Sequence, residues 1–204
     1  MRSRKLVVLC IGVLSVLTWT SVSRVQSAHA VGMKEAFEAL RFVEDDFINT
    51  GTICEHVAKL EVQKSYPEAR FDTWVGVTYR VGQEVIGELD LVVRDRSLQK
   101  VVLVGEVKCW RNLPAGLEKA QEQEARFRET LAEQQRLGEP VEFVKFLSQG
   151  KTVEFDSSEF DAKVDYIAIA QNGSRRIGFD QELELGLEEL MELRKQILSK
   201  RDPR

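Results

Sequence analysis

Four residues stand out for their types and spacing: Glu88 and Asp90 in the run Gly87-Glu88-Leu89-Asp90, then Glu106 and Lys108 in Glu106-Val107-Lys108. Both runs sit in apolar, β-branched surroundings, Leu91-Val92-Val93 after the first and Val101-Val102-Leu103-Val104 before the second. Side chains alternate faces along a strand, so Glu88 and Asp90 share one side, and Glu106 and Lys108 share another. A short turn between the strands brings the pairs together. Carboxylates gathered this way raise one another's pKa or demand a cation. Oxygen donors suit Mg²⁺, with Mn²⁺ as a substitute. Two carboxylates and a backbone carbonyl leave positions open for water and a phosphate, and a lysine alongside can orient or deprotonate the attacking water. The chemistry in view is metal-assisted phosphodiester hydrolysis.

The elements that must position these groups follow from hydrophobic period. Residues 34–48 carry Phe37, Leu40, Val43 and Phe47 at helical spacing. Asn49-Thr50-Gly51 breaks that run, and a second helix is expected over 52–64, ending at Ser65-Tyr66-Pro67. Thr52 and Glu55 have the spacing of a capping box. From Phe71 the period becomes two: strands are expected over 71–81, 84–94 and 100–110, the last solidly apolar and therefore central. A charged helix over 117–137, strands over 141–146 and 164–170, and a helix over 181–199 with Leu183, Leu187, Leu190, Leu193 and Ile197 on one stripe complete the order α-α-β-β-β-α-β-β-α. The expected fold is α/β, a mixed central sheet built on a three-stranded meander and flanked by helices.

Taken together, Gly87-Glu88-Leu89-Asp90, Glu106-Val107-Lys108 and the upstream helical segment Gly51-Thr52-Ile53-Cys54-Glu55-His56-Val57-Ala58 resemble the motifs of the PD-(D/E)XK nuclease superfamily. The resemblance spans residues 50–131 and implies a restriction-endonuclease-like core. It implies Asp90 and Glu106 as metal ligands with the Val107 carbonyl, Lys108 as the group that activates water, and Glu55 supporting the metal or its waters. It further implies a Mg²⁺-dependent endonuclease on DNA that leaves a 5′ phosphate, with a homodimer as a common arrangement. Glu55 reads equally as a helix cap, and Glu61 is a weaker substitute. Gln123 lies on the apolar face formed by Ala120, Phe127 and Leu131. It is a candidate phosphate or water contact, or a core-edge glutamine. A binding module that keeps the fold without catalysis, or an acidic cluster holding structural Ca²⁺, are the rival readings.

Other polar residues carry less. Trp110 can stack on a base but reads more simply as a rim residue, and His56 as an exposed helix residue. Lys119, Arg126 and Arg128 alternate with acids in the manner of a solvated face. The 204 residues suit one domain over 31–204. Residues 1–30 have the basic start, apolar middle and Ala28-His29-Ala30 end of a secretory signal. Cleavage after Ala30 would export the chain to the periplasm or beyond. An uncleaved anchor, or a cytoplasmic protein starting at Met33, are the alternatives. Without the four basic residues of that segment, 25 basic face 33 acidic residues, a net charge of −8. Such a surface opposes unselective nucleic-acid binding and leaves room for a locally basic site. Cys54 and Cys109, each adjacent to a candidate residue, either pair in an oxidising compartment or sit as small buried hydrophobes. With His56 as the one remaining histidine, zinc is disfavoured.

Overall fold

Val101, Leu103, Val104 and Val107 lie on one strand yet divide between two cores, because both faces of that strand are covered. A computed structural model describes residues 31–201 of the chain. Residues 1–30, where an export signal is expected, and residues 202–204 lie outside the described residues. The helices are α1 (Met33–Leu40), α2 (Thr50–Ser65), α3 (Leu113–Leu137) and α4 (Leu187–Arg201). The strands are β1 (Phe71–Val81), β2 (Glu84–Asp95), β3 (Lys100–Val107), β4 (Glu142–Phe146), β5 (Thr152–Phe155), β6 (Asp165–Ala170) and β7 (Gln181–Glu182). They form one seven-stranded sheet in the order β5-β4-β1-β2-β3-β6-β7. The meander β1-β2-β3 is antiparallel, and β6 and β7 join in parallel. The α/β class, the mixed sheet and the flanking helices are as the sequence predicts.

Alternate residues of the central strands feed opposite layers. Leu91, Val93, Leu103 and Val107 pack with Ile53, Val57, Leu190 and Leu193 of α2 and α4. Val92 and Val104 pack with Phe127 of α3 and with Phe143, Phe155 and Phe160. The rings of Phe143 and Phe160 stack 3.7 Å apart at the centre of that second core.

Several boundaries differ from the expected ones. The first helix stops at Leu40 instead of reaching 48. Beyond it Val43 and Phe47 still reach the first core, but on irregular backbone, with Phe47 at φ +49. The irregular carbonyls of Leu40, Val43, Asp45, Phe47 and Ile48 are satisfied by the guanidinium groups of Arg194 and Arg201 on α4. The second helix begins at Thr50 with Asn49 before it, which places Thr52 inside the first turn and removes the capping box. The third strand ends at Val107. The next helix starts at Leu113, where the Asn112 side chain caps it and Pro114 occupies the first turn. The final helix begins only at Leu187, because residues 181–182 are taken into the sheet and Leu183 is buried beyond them. The short strand β5 carries too few residues to announce itself.

Cys54 of α2 is disulfide-bonded to Cys109, two residues past the end of β3, closing a sequence separation of 55. The bridge therefore fastens the helix that carries Glu55 to the chain that carries Lys108. Loop-closure entropy for such a span sets an upper scale of about 4 kcal/mol. The Cys54→Ala/Cys109→Ala variant is expected to lose about 2–4 kcal/mol of unfolding free energy. Denaturant unfolding with and without reductant checks this, reductant lowering the midpoint of the native chain but not of the variant.

Candidate active site

Asp90, Glu106 and Lys108 meet where β2 and β3 lie side by side. The pairing of β1 with β2 runs Val75↔Leu91 and then Val77↔Leu89, passing over Gly76 and Asp90. Gly76 has φ +67, a conformation natural to glycine, and a Cβ there would stand 3.2 Å from Glu88 Oε1 and 3.4 Å from Lys145 Nζ. The kink at Gly76 thus coincides with the strand position that carries Asp90. Gly87 has a packing reason of its own: the Tyr79 ring lies over it, and a Cβ would fall 2.8 Å from that ring.

Asp90 Oδ2 accepts the Val107 backbone N–H at 2.8 Å and the Lys108 ammonium at 3.1 Å. Lys108 Nζ also donates to Glu106 Oε1 and lies 3.4 Å from the Val107 carbonyl oxygen. The ammonium is therefore held by the same three groups expected to bind a metal: two carboxyls and one backbone carbonyl. Glu106 is fully buried, while Asp90 and Lys108 are 8% and 9% exposed. Burial, then the charge of Asp90, pushes Glu106 up to about 8. Burial alone would lower Lys108, but Asp90 and Glu106 together hold it above its ordinary value. These directions agree if the ammonium stays charged and the surplus proton of the two-carboxyl pair rides on Glu106.

The second oxygen of Glu106 has its own partner. Tyr166 of β6 donates its hydroxyl to Oε2 at 3.1 Å. Val104 pairs with Tyr166 and Glu106 with Ala168, so the tyrosine reaches diagonally across the parallel ladder. Its ring lies 5.8 Å from Phe127 of α3. Burial and the charge of Glu106 raise the hydroxyl well above its usual range, so it stays a donor. Sequence reading missed this residue. Its only signal would have been a polar tip in an otherwise apolar strand.

Glu55 approaches from α2. It is half-buried, and burial followed by the charges of Asp90 and Glu88 pushes it up to about 8. It makes no hydrogen bond among the described residues, so it acts on the cluster through charge at longer range. Glu88 is exposed and likewise raised, by burial of its carboxyl and by Asp90. Glu61, the weaker alternative, is committed elsewhere, accepting the Glu184 N–H. Gln123 lies half-buried on α3 between Ala120 and Phe127 and makes no hydrogen bond among the described residues. Among those residues no three His, Cys, Asp or Glu side chains converge as a metal-binding group. The oxygens around the Lys108 ammonium are those of Asp90, Glu106 and the Val107 carbonyl. These are hard oxygen donors already arranged about a cation, which fits a magnesium-like ion.

His56 departs from its expected exposure. It is buried, 2.8 Å from Asp45, and edge-on to the Phe47 ring. Burial lowers it, against the raising effect of Asp45. Trp110 is 44% exposed at the rim, as the plainer reading has it. Lys119 pairs with Glu122, and Arg128 with Glu124 and the carbonyls of Ala162 and Val164. No helix among the described residues is long and apolar enough to cross a membrane. No family model, curated protein or solved structure matches this chain.

Proposed function

We propose that the chain is a metal-dependent nuclease that hydrolyses phosphodiester bonds, acting on DNA as an endonuclease with the restriction-endonuclease-like core its motifs resemble. The observation that carries this reading is the oxygen cage of Asp90, Glu106 and the Val107 carbonyl, assembled around a cation at adjoining strands. Asp90, Glu106 and the Val107 carbonyl would hold Mg²⁺ or Mn²⁺, and Glu55 would bear on its waters. The bound ion would supply Lewis-acid polarisation of the phosphate and a more acidic water.

The chain's own groups have separable tasks. Lys108, anchored on Asp90 Oδ2, orients the attacking water and balances charge gathering on the phosphoryl oxygens. Tyr166 pins Glu106 Oε2 and thereby leaves Oε1 turned toward Asp90 and Lys108. Glu55, near 8, is matched to exchange a proton with water at neutral pH. Export through the signal-like segment 1–30 is part of the proposal, and the Cys54–Cys109 bridge supports it because such bonds persist in oxidising compartments.

The test is incubation of the chain with plasmid and single-stranded DNA, with Mg²⁺ or with chelator. Nicking or linearisation that needs Mg²⁺, or Mn²⁺ in its place, is the expected result. A second reading has one observation in its favour: Lys108 closes the acidic pair into a self-neutralised cluster, as a non-catalytic nucleic-acid-binding module would need. DNA binding without cleavage under any of these metals supports that module against the enzyme.

Tyr166→Phe keeps the ring on Phe127 and removes the bond to Glu106. It is expected to lower divalent-ion affinity and cleavage rate about 10- to 100-fold, the range for groups that orient a metal ligand. Calorimetric titration with Mn²⁺ checks this. Wild-type affinity in the variant would mean that Tyr166 only packs.

A further inference from the structure

Beside the acidic cluster lie two lysines that the reading above leaves without a task. Many cations of this chain are answered by a carboxylate: Arg41 by Glu38, Arg70 by Asp95, Arg80 by Glu142, Arg96 by Asp72. Lys59 and Lys145 have no ion pair or hydrogen bond among the described residues. Neither is a loose surface lysine, since both are half-buried. Lys59 follows Glu55 by one turn of α2. Lys145, on β4, brings its ammonium over the kink at Gly76, next to Glu88. The Lys145 charge bears on Lys59, and both lysines bear on His56. Burial pulls Lys59 below its ordinary value; Glu68 opposes this, and Lys145 adds to it more weakly. Glu68 and Glu88 lie near these half-buried charges without forming an ion pair with either, so a further anion would be favourable there. In a chain of net charge −4, two half-buried lysines without an ion pair beside the acidic cluster point to a ligand.

We propose that Lys59 and Lys145 form a clamp for a backbone phosphate of DNA next to the one attacked at Asp90, Glu106 and Lys108. The proposal rests on the nuclease reading and adds a substrate requirement: a polynucleotide with a second phosphate within reach of the cleaved bond. Such a contact positions the backbone and reads no sequence.

Fluorescence anisotropy of a labelled duplex, in chelator and at several salt concentrations, tests it. The double variant Lys59→Gln/Lys145→Gln is expected to bind roughly tenfold more weakly per lysine, as for lost hydrogen bonds to a charged group. The slope of log affinity against log salt is expected to fall by about 2, equally for unrelated sequences. Lys59→Arg/Lys145→Arg is expected to keep the slope, which separates charge from packing, and thermal unfolding verifies that each variant is folded. Lys195→Gln on α4 controls for net charge. Wild-type affinity and slope in the glutamine variant, or the same loss in the arginine variant, overturns the clamp and leaves the nuclease reading standing. A wild-type chain that neither binds duplex nor cuts it with Mg²⁺ takes down both.

Discussion

Replacing Lys108 with methionine is expected to lower DNA cleavage about 10²- to 10³-fold, the range for losing one group that stabilises developing charge, and to make the stability of the chain depend on Mg²⁺. Methionine keeps the unbranched stem, so the change isolates the ammonium. In the folded chain that ammonium sits between Asp90 Oδ2 and Glu106 Oε1, with the Val107 carbonyl alongside. Removing one partner of a buried charged cluster costs about 3–5 kcal/mol, because the remaining charge is left unanswered. At roughly 2–4 °C per kcal/mol for a domain of this size, the metal-free variant should melt about 10 °C below the wild type. Mg²⁺ should restore more of that loss than it adds to the wild type, since the ion enters the cage the lysine vacated. Thermal melts with Mg²⁺ and with chelator give both numbers. An unchanged melt in chelator, with the same response to Mg²⁺ as the wild type, would contradict the placement of the charge.

Glu106→Gln should abolish cleavage as thoroughly while moving stability the other way. Glutamine can keep its oxygen toward Lys108 and donate its amide N–H to the Tyr166 hydroxyl, which then accepts, but it cannot supply a charged ligand, so cleavage should fall at least about 10³-fold, a loss of several kcal/mol at the transition state. Folded Glu55 and Glu106 both sit near 8, against an ordinary 4.5. The folded chain therefore keeps two protons that the unfolded chain gives up as pH rises above 4.5. The stability linked to them is fully present below 4.5 and drains away between 4.5 and about 8. A divalent ion competes with the same protons, so Mg²⁺ should raise the melting temperature little at pH 5 and most near pH 8. Glu106→Gln removes one of the two titrations. In chelator at pH 8 it should melt at or above the wild-type temperature, and its Mg²⁺ response should be small at every pH. A variant that melts below the wild type in chelator at pH 8 would show that Glu106 is ionised and satisfied without metal.

The contrast between these variants separates a cation-binding cage from a structural salt bridge. A structural bridge loses stability whichever partner is removed. In a cation-binding cage, the lysine would be the stabilising tenant and the glutamate the group kept under strain for a function.

What could be read in advance follows from the range of the interaction involved. Asp90, Glu106 and Lys108 were legible because strand alternation is local: the period of two, an apolar run and a short turn fix which side chains share a face. The sheet order around them is longer in range. Tyr166 reaches Glu106 only because β6 returns in parallel beside β3 after α3, β4 and β5, and nothing in the local sequence fixes that register. The end of α1 is set by arginines about 150 residues away on α4, and His56 is buried by Asp45 and Phe47 from a stretch that reads as helix. Glu55 had two equal readings until α2 was found to start at Thr50. The cysteines, too, had two readings, and the 6.3 Å approach of their Cα atoms between α2 and the chain just past β3 joins them. Gln123 gains no partner from the fold, which places it on the expected helix face and no further.

The claim on which the rest depends is that Asp90 and Glu106 hold a divalent ion for cleavage. Crystals of the chain grown with Mn²⁺ and a DNA duplex locate the ion directly by its anomalous scattering. A peak within bonding distance of both carboxylates, with the Lys108 ammonium drawn out of the cage, is the expected result. A peak bound elsewhere, or none in crystals of a protein that cuts DNA with Mn²⁺, would contradict the account.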